Sequence, residues 1–258
     1  MMLQLRGLTK RFGGLLAVNH LDMGIEAGEV RGLIGPNGSG KTTTLNLVSG
    51  LYTAESGEIV LDGTSVTRLR PADRTRLGMA RTFQNIRLFP RLSVGDNVAM
   101  ARHSRSRAGL LEIFLGTPAQ RQEEVAIRAE ANRALALVGL TARAAESPAD
   151  LPYGDRRRLE IARALATSPK LLLLDEPAAG MNPTEKRDLV RLIRRINEEL
   201  GITILLIEHD MNVVMTACHQ ITVLNFGAKI AEGTPQEVRR NPAVIEAYLG
   251  KGAHHAKA

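Results

Sequence analysis

Residues 29–34 read EVRGLI, positions 35–42 follow as GPNGSGKT, and TTTLNLVSGL runs on from Thr42. The first stretch is a short apolar run and the last a helical one, so a glycine-rich turn joins a strand to a helix. GPNGSGKT fits the pattern GxxxxGK[ST] in the setting that gives the pattern its physical meaning. Gly35, Gly38 and Gly40 let backbone N–H groups turn inward around a phosphate, with Pro36, Asn37, Ser39 and Thr43 completing the loop. The helix N-terminus adds positive potential. Lys41 is expected to reach the β- and γ-phosphates of a nucleoside triphosphate, and the Thr42 hydroxyl to ligate Mg²⁺. Nucleotide binding is the first expectation.

Two further runs, KLLLLDE (170–176) and ITILLIEHD (202–210), are apolar and bounded by turn signals, and helical patterns follow them. They are continuous rather than alternating, as in strands buried on both faces of a mostly parallel sheet, and the βα order predicts an α/β fold. LQLRGLTKRF, HLDMGIEAGE and GEIVLDG (57–63) look like antiparallel strands, an N-terminal β part. Asn182-Pro183-Thr184-Glu185 and Thr234-Pro235-Gln236-Glu237 each supply a cap, a proline at the first helical position and an acid at the third. Between roughly 86 and 150 helical periodicity takes over, as in QRQEEVAIRAEANRALALVGL, with ARHSRSRAG interrupting it. One domain over 1–258 is therefore expected, with an α/β core at 1–85 and 151–258 and an inserted α-helical subdomain at 86–150. The tail GKGAHHAKA is expected to fray, and its His254-His255 pair to be incidental.

Hydrophobic residues make up 44% of the 258, enough for a core and against a disordered chain. Aromatics amount to 3% and Trp is absent, which argues against an aromatic platform for single-stranded nucleic acid. The single cysteine, Cys218, leaves no internal disulfide or thiolate cluster and fits a cytosolic setting. The opening MMLQLRGLTKRFGG lacks the apolar core of a signal peptide, and no apolar run has the length of a membrane span. Any membrane role is expected to go through a partner. Residues 66–128 hold twelve Arg, no Lys and five Asp or Glu, which accounts for the whole net charge of +7. Such a block faces nucleic acid or an anionic membrane leaflet, or is a solvated surface.

KLLLLDE ends in two carboxylates. Asp175, at the strand tip, is expected to hold Mg²⁺ through water, and Glu176 to orient or deprotonate a water attacking the γ-phosphate. His209 follows the third apolar run and reads as a γ-phosphate contact at the rim where open α/β sheets bind ligands. Gln84, in RTFQNIRLF, sits where the core gives way to the insertion, and Phe12 follows the first strand in KRFGG. On the residues alone, either is a packing or loop position. A small-molecule kinase shares the phosphate loop, but no acceptor-substrate site stands out, and the Asp175-Glu176 pair favours water as the acceptor.

In order and spacing, the phosphate loop, Gln84, the segment LPYGD before the DE strand and the later His209 resemble the ATP-binding subunit of ABC transporters over essentially the whole chain. The resemblance implies a P-loop NTPase core, with ATP and Mg²⁺ as its ligands. It also implies that Phe12 stacks on adenine, that Gln84 senses Mg²⁺ and the water, and that His209 is a switch histidine. The active unit it implies is a head-to-tail dimer, formed with itself or with a second ATPase subunit. LPYGD then stands at the place of the signature LSGGQ, the helix start offered to ATP on the opposite subunit. Leu151 and Gly154 match it, whereas Pro152, Tyr153 and Asp155 replace Ser, Gly and Gln, which points to a weakened contact or a signature supplied by a partner. Asn182, in PAAGMN, stands where the family usually has Asp.

RFGGLLAVN, ARTFQNIRLFP, YGDRRRLEIARAL, LDEPAAGMNP and the ending NPAVIEAYLG are similar to the larger ATPase of bacterial branched-chain amino acid importers; urea and short-amide importers share much of this wording. The expected partners are transmembrane permease subunits, which the helical subdomain docks on, and indirectly a periplasmic substrate-binding protein. The expected location is cytoplasmic, peripheral on the inner face of the plasma membrane. A nucleic-acid-associated ABC ATPase is the competing class. It needs a long coiled coil or two nucleotide domains, and neither sustained heptads nor the length for a second domain is present.

Overall fold

The computed structural model describes residues 1–83, 87–103 and 118–249. Gln84, most of the ARHSRSRAG stretch and the tail with His254-His255 lie outside the described residues. In chain order the elements are strands β1 (Leu3–Phe12), β2 (Leu15–Ile25) and β3 (Val30–Ile34), helix α1 (Lys41–Val48), strands β4 (Ser56–Leu61) and β5 (Thr64–Ser65), helix α2 (Pro71–Arg76) and strand β6 (Met79–Arg81). Helices α3 (Val94–His103), α4 (Pro118–Val138) and α5 (Tyr153–Ala166) follow. The chain then continues through β7 (Leu171–Asp175), α6 (Pro183–Leu200), β8 (Thr203–Ile207), α7 (Met211–Ala217), β9 (Gln220–Asn225), β10 (Ala228–Gly233), α8 (Pro235–Arg240) and α9 (Pro242–Leu249).

These elements form two compact units, Met1–Arg81 with Lys170–Ala258, and Thr82–Pro169. The boundaries differ from 86 and 150. Helix α5 belongs with the helical unit, because its apolar residues Leu159, Ala162 and Leu165 are buried in a helix that contacts α3 and α4. The core is expected to return at 151; contacts place that return at Lys170, just before β7.

The first unit has two sheets. One is antiparallel, in the order β2-β1-β4-β5, and the other runs β10-β9-β3-β8-β7-β6. In the second, β9, β3, β8, β7 and β6 are parallel and β10 is an antiparallel edge. All five residues of β3, β7 and β8 are buried, as their unbroken apolar runs require. Alternate side chains enter one core: Leu33, Leu171, Leu173, Leu205 and Ile207 cluster with Leu45 and Val48 of α1 and with Leu3, Leu5 and Ile25 of the antiparallel sheet. Those of opposite phase, such as Leu172, Leu174, Ile204 and Leu206, are buried on the other face. Helix α6 carries a matching stripe, Leu189, Ile193 and Ile196. Both marked helix starts are capping boxes, with Asn182 and Glu185 opening α6, and Thr234 and Glu237 opening α8.

The arginine-rich block is only partly a surface. Arg74 is 1% exposed, and its guanidinium donates to the carbonyls of Leu47 and Val48 at 2.6 Å, of Leu69 at 3.0 Å and of Thr67 at 3.1 Å. It closes the C-terminal end of α1, where a cation is electrostatically favoured. Burial pulls its pKa down to about 10. Arg81 is likewise committed inside the α/β unit.

Candidate nucleotide site

Strand β3 feeds the phosphate loop, and backbone geometry there demands glycine at two points. Gly35 has φ 152°, and a Cβ on it would lie 2.1 Å from the Leu224 carbonyl oxygen. Gly40, the N-cap of α1, has φ 102°, and a Cβ would lie 2.4 Å from the Ala17 carbonyl oxygen. The loop is pressed against β2 and β9, so no side chain fits. Gly227 N–H donates to the Ser39 carbonyl at 3.0 Å and holds the loop from the β9–β10 turn. Helix α1 has no side-chain cap, which leaves its first N–H groups for an anion. Lys41 folds back across the loop, with Nζ donating to the carbonyls of Gly35 at 2.7 Å and Pro36 at 2.9 Å. Burial lowers its pKa, and the charge of Glu176 opposes the shift. Ser39 Oγ is buried and makes no hydrogen bond among the described residues, a donor left for an incoming acceptor. Thr42 is exposed at the start of α1.

The next strands bring acids to the same rim, since Leu33 of β3 and Asp175 of β7 both align with Ile207 of β8. Asp175 is buried, and its Oδ2 accepts from Arg81 Nη2 at 2.9 Å. The same guanidinium donates to Asn46 Oδ1 at 2.7 Å and Ser49 Oγ at 2.8 Å, tying the carboxylate to α1. Nothing in the sequence singled out Arg81, because its partner lies on a strand far along the chain.

Glu176 has φ 47°, left-handed for a residue with a side chain, which costs on the order of 1–3 kcal/mol. Its N–H donates to the Ile207 carbonyl at 2.9 Å, so the turn is anchored on β8. Its Oε2 stands 3.9 Å from His209 Nδ1, and the His209 side chain is largely exposed. Glu208, between β8 and His209, is fully buried and was not foreseen, although an acid inside ITILLIEHD is the signal that marks it. Burial pushes its carboxyl pKa up, while the backbone amides of Ala178, Asp210 and His209 and the charge of His209 pull it back. Asp210 caps α7 and pairs with Lys186 at 2.7 Å; that hydrogen bond holds its carboxyl low. Phe12, at the end of β1, is 43% exposed. The Tyr52 ring meets it edge-on at 5.3 Å, and Lys10 Nζ lies 5.2 Å from its centroid.

In the helical unit, α5 starts at Tyr153 behind Pro152, an N-cap without a side-chain hydrogen bond. Leu151 and Gly154 are buried. Tyr153 is 41% exposed and leans on its own helix: Arg157 Nη2 donates to its hydroxyl at 3.2 Å, with the guanidinium 5.7 Å from the ring centroid. Asp155 lies 3.7 Å from both Arg143 and Arg158.

The chain matches the family described as ABC transporter over residues 18–179, and the one described as branched-chain amino acid ATP-binding cassette transporter over residues 228–254. It is 46% identical over 250 residues to the high-affinity branched-chain amino acid transport ATP-binding protein BraF of Pseudomonas aeruginosa, covering 97% of this chain and 98% of that one. Identity to LivG of Escherichia coli, named for the same transport, is 44% with the same coverage. A solved ATP-binding cassette of an ABC transporter in its ADP conformation superposes with a TM-score of 0.84 at 29% identity, over 97% of this chain and 99% of that chain. With the phosphate loop, the acidic strand end and His209 set in the α/β unit, and with relatives matched from end to end, this chain belongs to the ATP-binding subunits of ABC transporters.

Proposed function

We propose that the chain hydrolyses ATP to power an importer of branched-chain amino acids, working on the cytoplasmic face of the plasma membrane. The observation that carries the cargo is the extent of the similarity. It runs through the C-terminal segment 228–254, which matches the family described as branched-chain amino acid ATP-binding cassette transporter. Among the described residues no helix is long and apolar enough to cross a membrane. In this reading separate transmembrane subunits form the path, and a second nucleotide-binding subunit, or a second copy, completes the ATPase.

At the site, Phe12 offers an exposed aromatic face to the adenine base, which stacks without needing hydrogen bonds. The loop amides of residues 37–43 and Ser39 Oγ receive the phosphates, and Lys41 exchanges carbonyl partners for phosphate oxygens. Glu176 accepts a proton from the attacking water and aligns it, and His209, 3.9 Å away, steadies the γ-phosphate end. The oxygen donors Thr42 Oγ1 and Asp175 suit Mg²⁺, a hard cation bound through few protein ligands plus phosphates and water. When bound, the ion offsets phosphate charge.

The test is uptake. A strain lacking this chain should lose leucine uptake and regain it with the wild type but not with Glu176→Gln, whose hydrolysis should fall by about 10²–10⁴. Full uptake with Glu176→Gln would refute the role of Glu176, and loss of a different solute alone would refute the cargo.

A further inference from the structure

A carboxylate with no exposed surface is costly to fold unless it is fully bonded. Glu208 is 0% exposed, and its two oxygens are divided between two turns. Oε1 accepts the Ala178 N–H at 2.6 Å, two residues beyond Glu176. Oε2 accepts the N–H of His209 at 3.1 Å and of Asp210 at 3.4 Å. These turns leave the adjacent parallel strands β7 and β8, whose ladder ends at the pair Asp175 and Ile207. The bond from Glu176 N–H to the Ile207 carbonyl is the last backbone tie, and beyond it the side chain of Glu208 continues the connection.

What this bracket sets is the spacing of the two groups that flank it, Glu176 and His209, at 3.9 Å. The geometry points to Glu208 as a positioning residue for hydrolysis, one that holds the turn after Glu176 and the turn of His209 in register without touching nucleotide. This rests on the roles proposed above for Glu176 and His209. Glutamine is nearly the same size but turns one acceptor into an NH₂ donor, so one of the two turns loses its bond and meets a repelling donor. A displacement of about 1 Å in catalytic geometry costs about 10²-fold in rate. A residue that only stabilised the fold would instead lower the amount of competent protein.

The experiment uses the full chain carrying Glu208→Gln, Glu208→Asp, Glu176→Gln and the double substitution Glu208→Gln/Glu176→Gln. In Glu208→Gln, kcat should fall by about 10²-fold, with the KM for ATP, the ADP affinity and the ADP stoichiometry close to wild type. Hydrogen exchange should quicken at the amides of whichever turn meets the new NH₂, Ala178 on one side or His209 and Asp210 on the other. Glu208→Asp keeps the carboxylate with a shorter reach and should recover part of kcat. Because Glu208 acts in part through Glu176, the loss in the double variant should fall short of the product of the two single losses. Unchanged kcat in Glu208→Gln, ADP sites lost in step with kcat, or losses that multiply in the double variant would each overturn the assignment. A wild-type rate in Glu176→Gln would instead bring down the reading of Glu176, a separate outcome.

Discussion

At the scale of single residues, the site is held by charges whose partners sit on other strands. Lys41 is a cation already partly withdrawn from water, with its pKa lowered by burial against the opposing charge of Glu176. A phosphate ligand needs the protonated amine, and the free protein loses that proton below the ordinary lysine range. ADP affinity should therefore stay level at neutral pH and decline on the alkaline side at a lower pH than an unperturbed lysine would give. Titration calorimetry from pH 7 upward measures it, and Lys41→Ala should bind weakly and lose that alkaline limb. Phe12→Ala should weaken adenine nucleotides by roughly 1–3 kcal/mol, the scale of base stacking, and leave inorganic triphosphate unaffected. Equal loss for both ligands would show that Phe12 supports the loop rather than the base. Much of this site was legible in the sequence because each part is local: GPNGSGKT, the DE pair after four leucines, and the His after an apolar run. Arg81 and Glu208 were not, since what defines them is a bond across strands: Arg81 to Asp175, and Glu208 to the Ala178 amide.

At the scale of elements, the same distinction separates what patterns reveal from what packing decides. Capping boxes at Asn182 and Thr234 are written within four residues, so both helix starts could be read directly. The Asn182 side chain accepts from the N–H groups of Thr184 at 2.9 Å and Glu185 at 3.0 Å, which gives this position a local role whatever it does at an interface. Helix ends closed from outside are invisible to such inspection. Arg74 reads as one of twelve arginines in a basic block, yet it satisfies four carbonyls, two of them at the end of α1. Arg74→Met keeps most of the volume and strands those buried acceptors, so it should destabilise the protein by about 3 kcal/mol. A urea midpoint that falls with an unchanged slope would record this, whereas Arg76→Met, on an exposed side chain, should move the midpoint little. Equal effects of the two would mean that the Arg74 carbonyls find water instead.

At the scale of the whole molecule, the proposed dimer depends on LPYGD, read above as standing at the place of LSGGQ. Helix α5 presents backbone donors at its start, but Pro152 offers neither hydroxyl nor N–H, and Tyr153 adds a ring tied to Arg157. That ring is anchored, so it resists displacement by an incoming phosphate. The isolated chain should then dimerise poorly with ATP, even when Glu176→Gln blocks turnover. A hydroxyl bonded to a charged phosphate oxygen contributes about 1.5–3 kcal/mol. Pro152→Ser restores that donor together with a backbone N–H, and Tyr153→Gly removes the ring. In the Glu176→Gln background the pair of substitutions should shift ATP-bound protein from monomer to homodimer in sedimentation velocity, by about 10²- to 10⁴-fold in the dimer constant, because a symmetric dimer makes the restored contact twice. If the Pro152 protein already forms a tight ATP-dependent homodimer, the donors around Gly154 suffice and no partner signature is needed. If the substituted protein stays monomeric as well, the block is not in LPYGD, and Asn182→Asp is the next change to make, because there the family's usual acid has given way to an amide already engaged in its own helix cap.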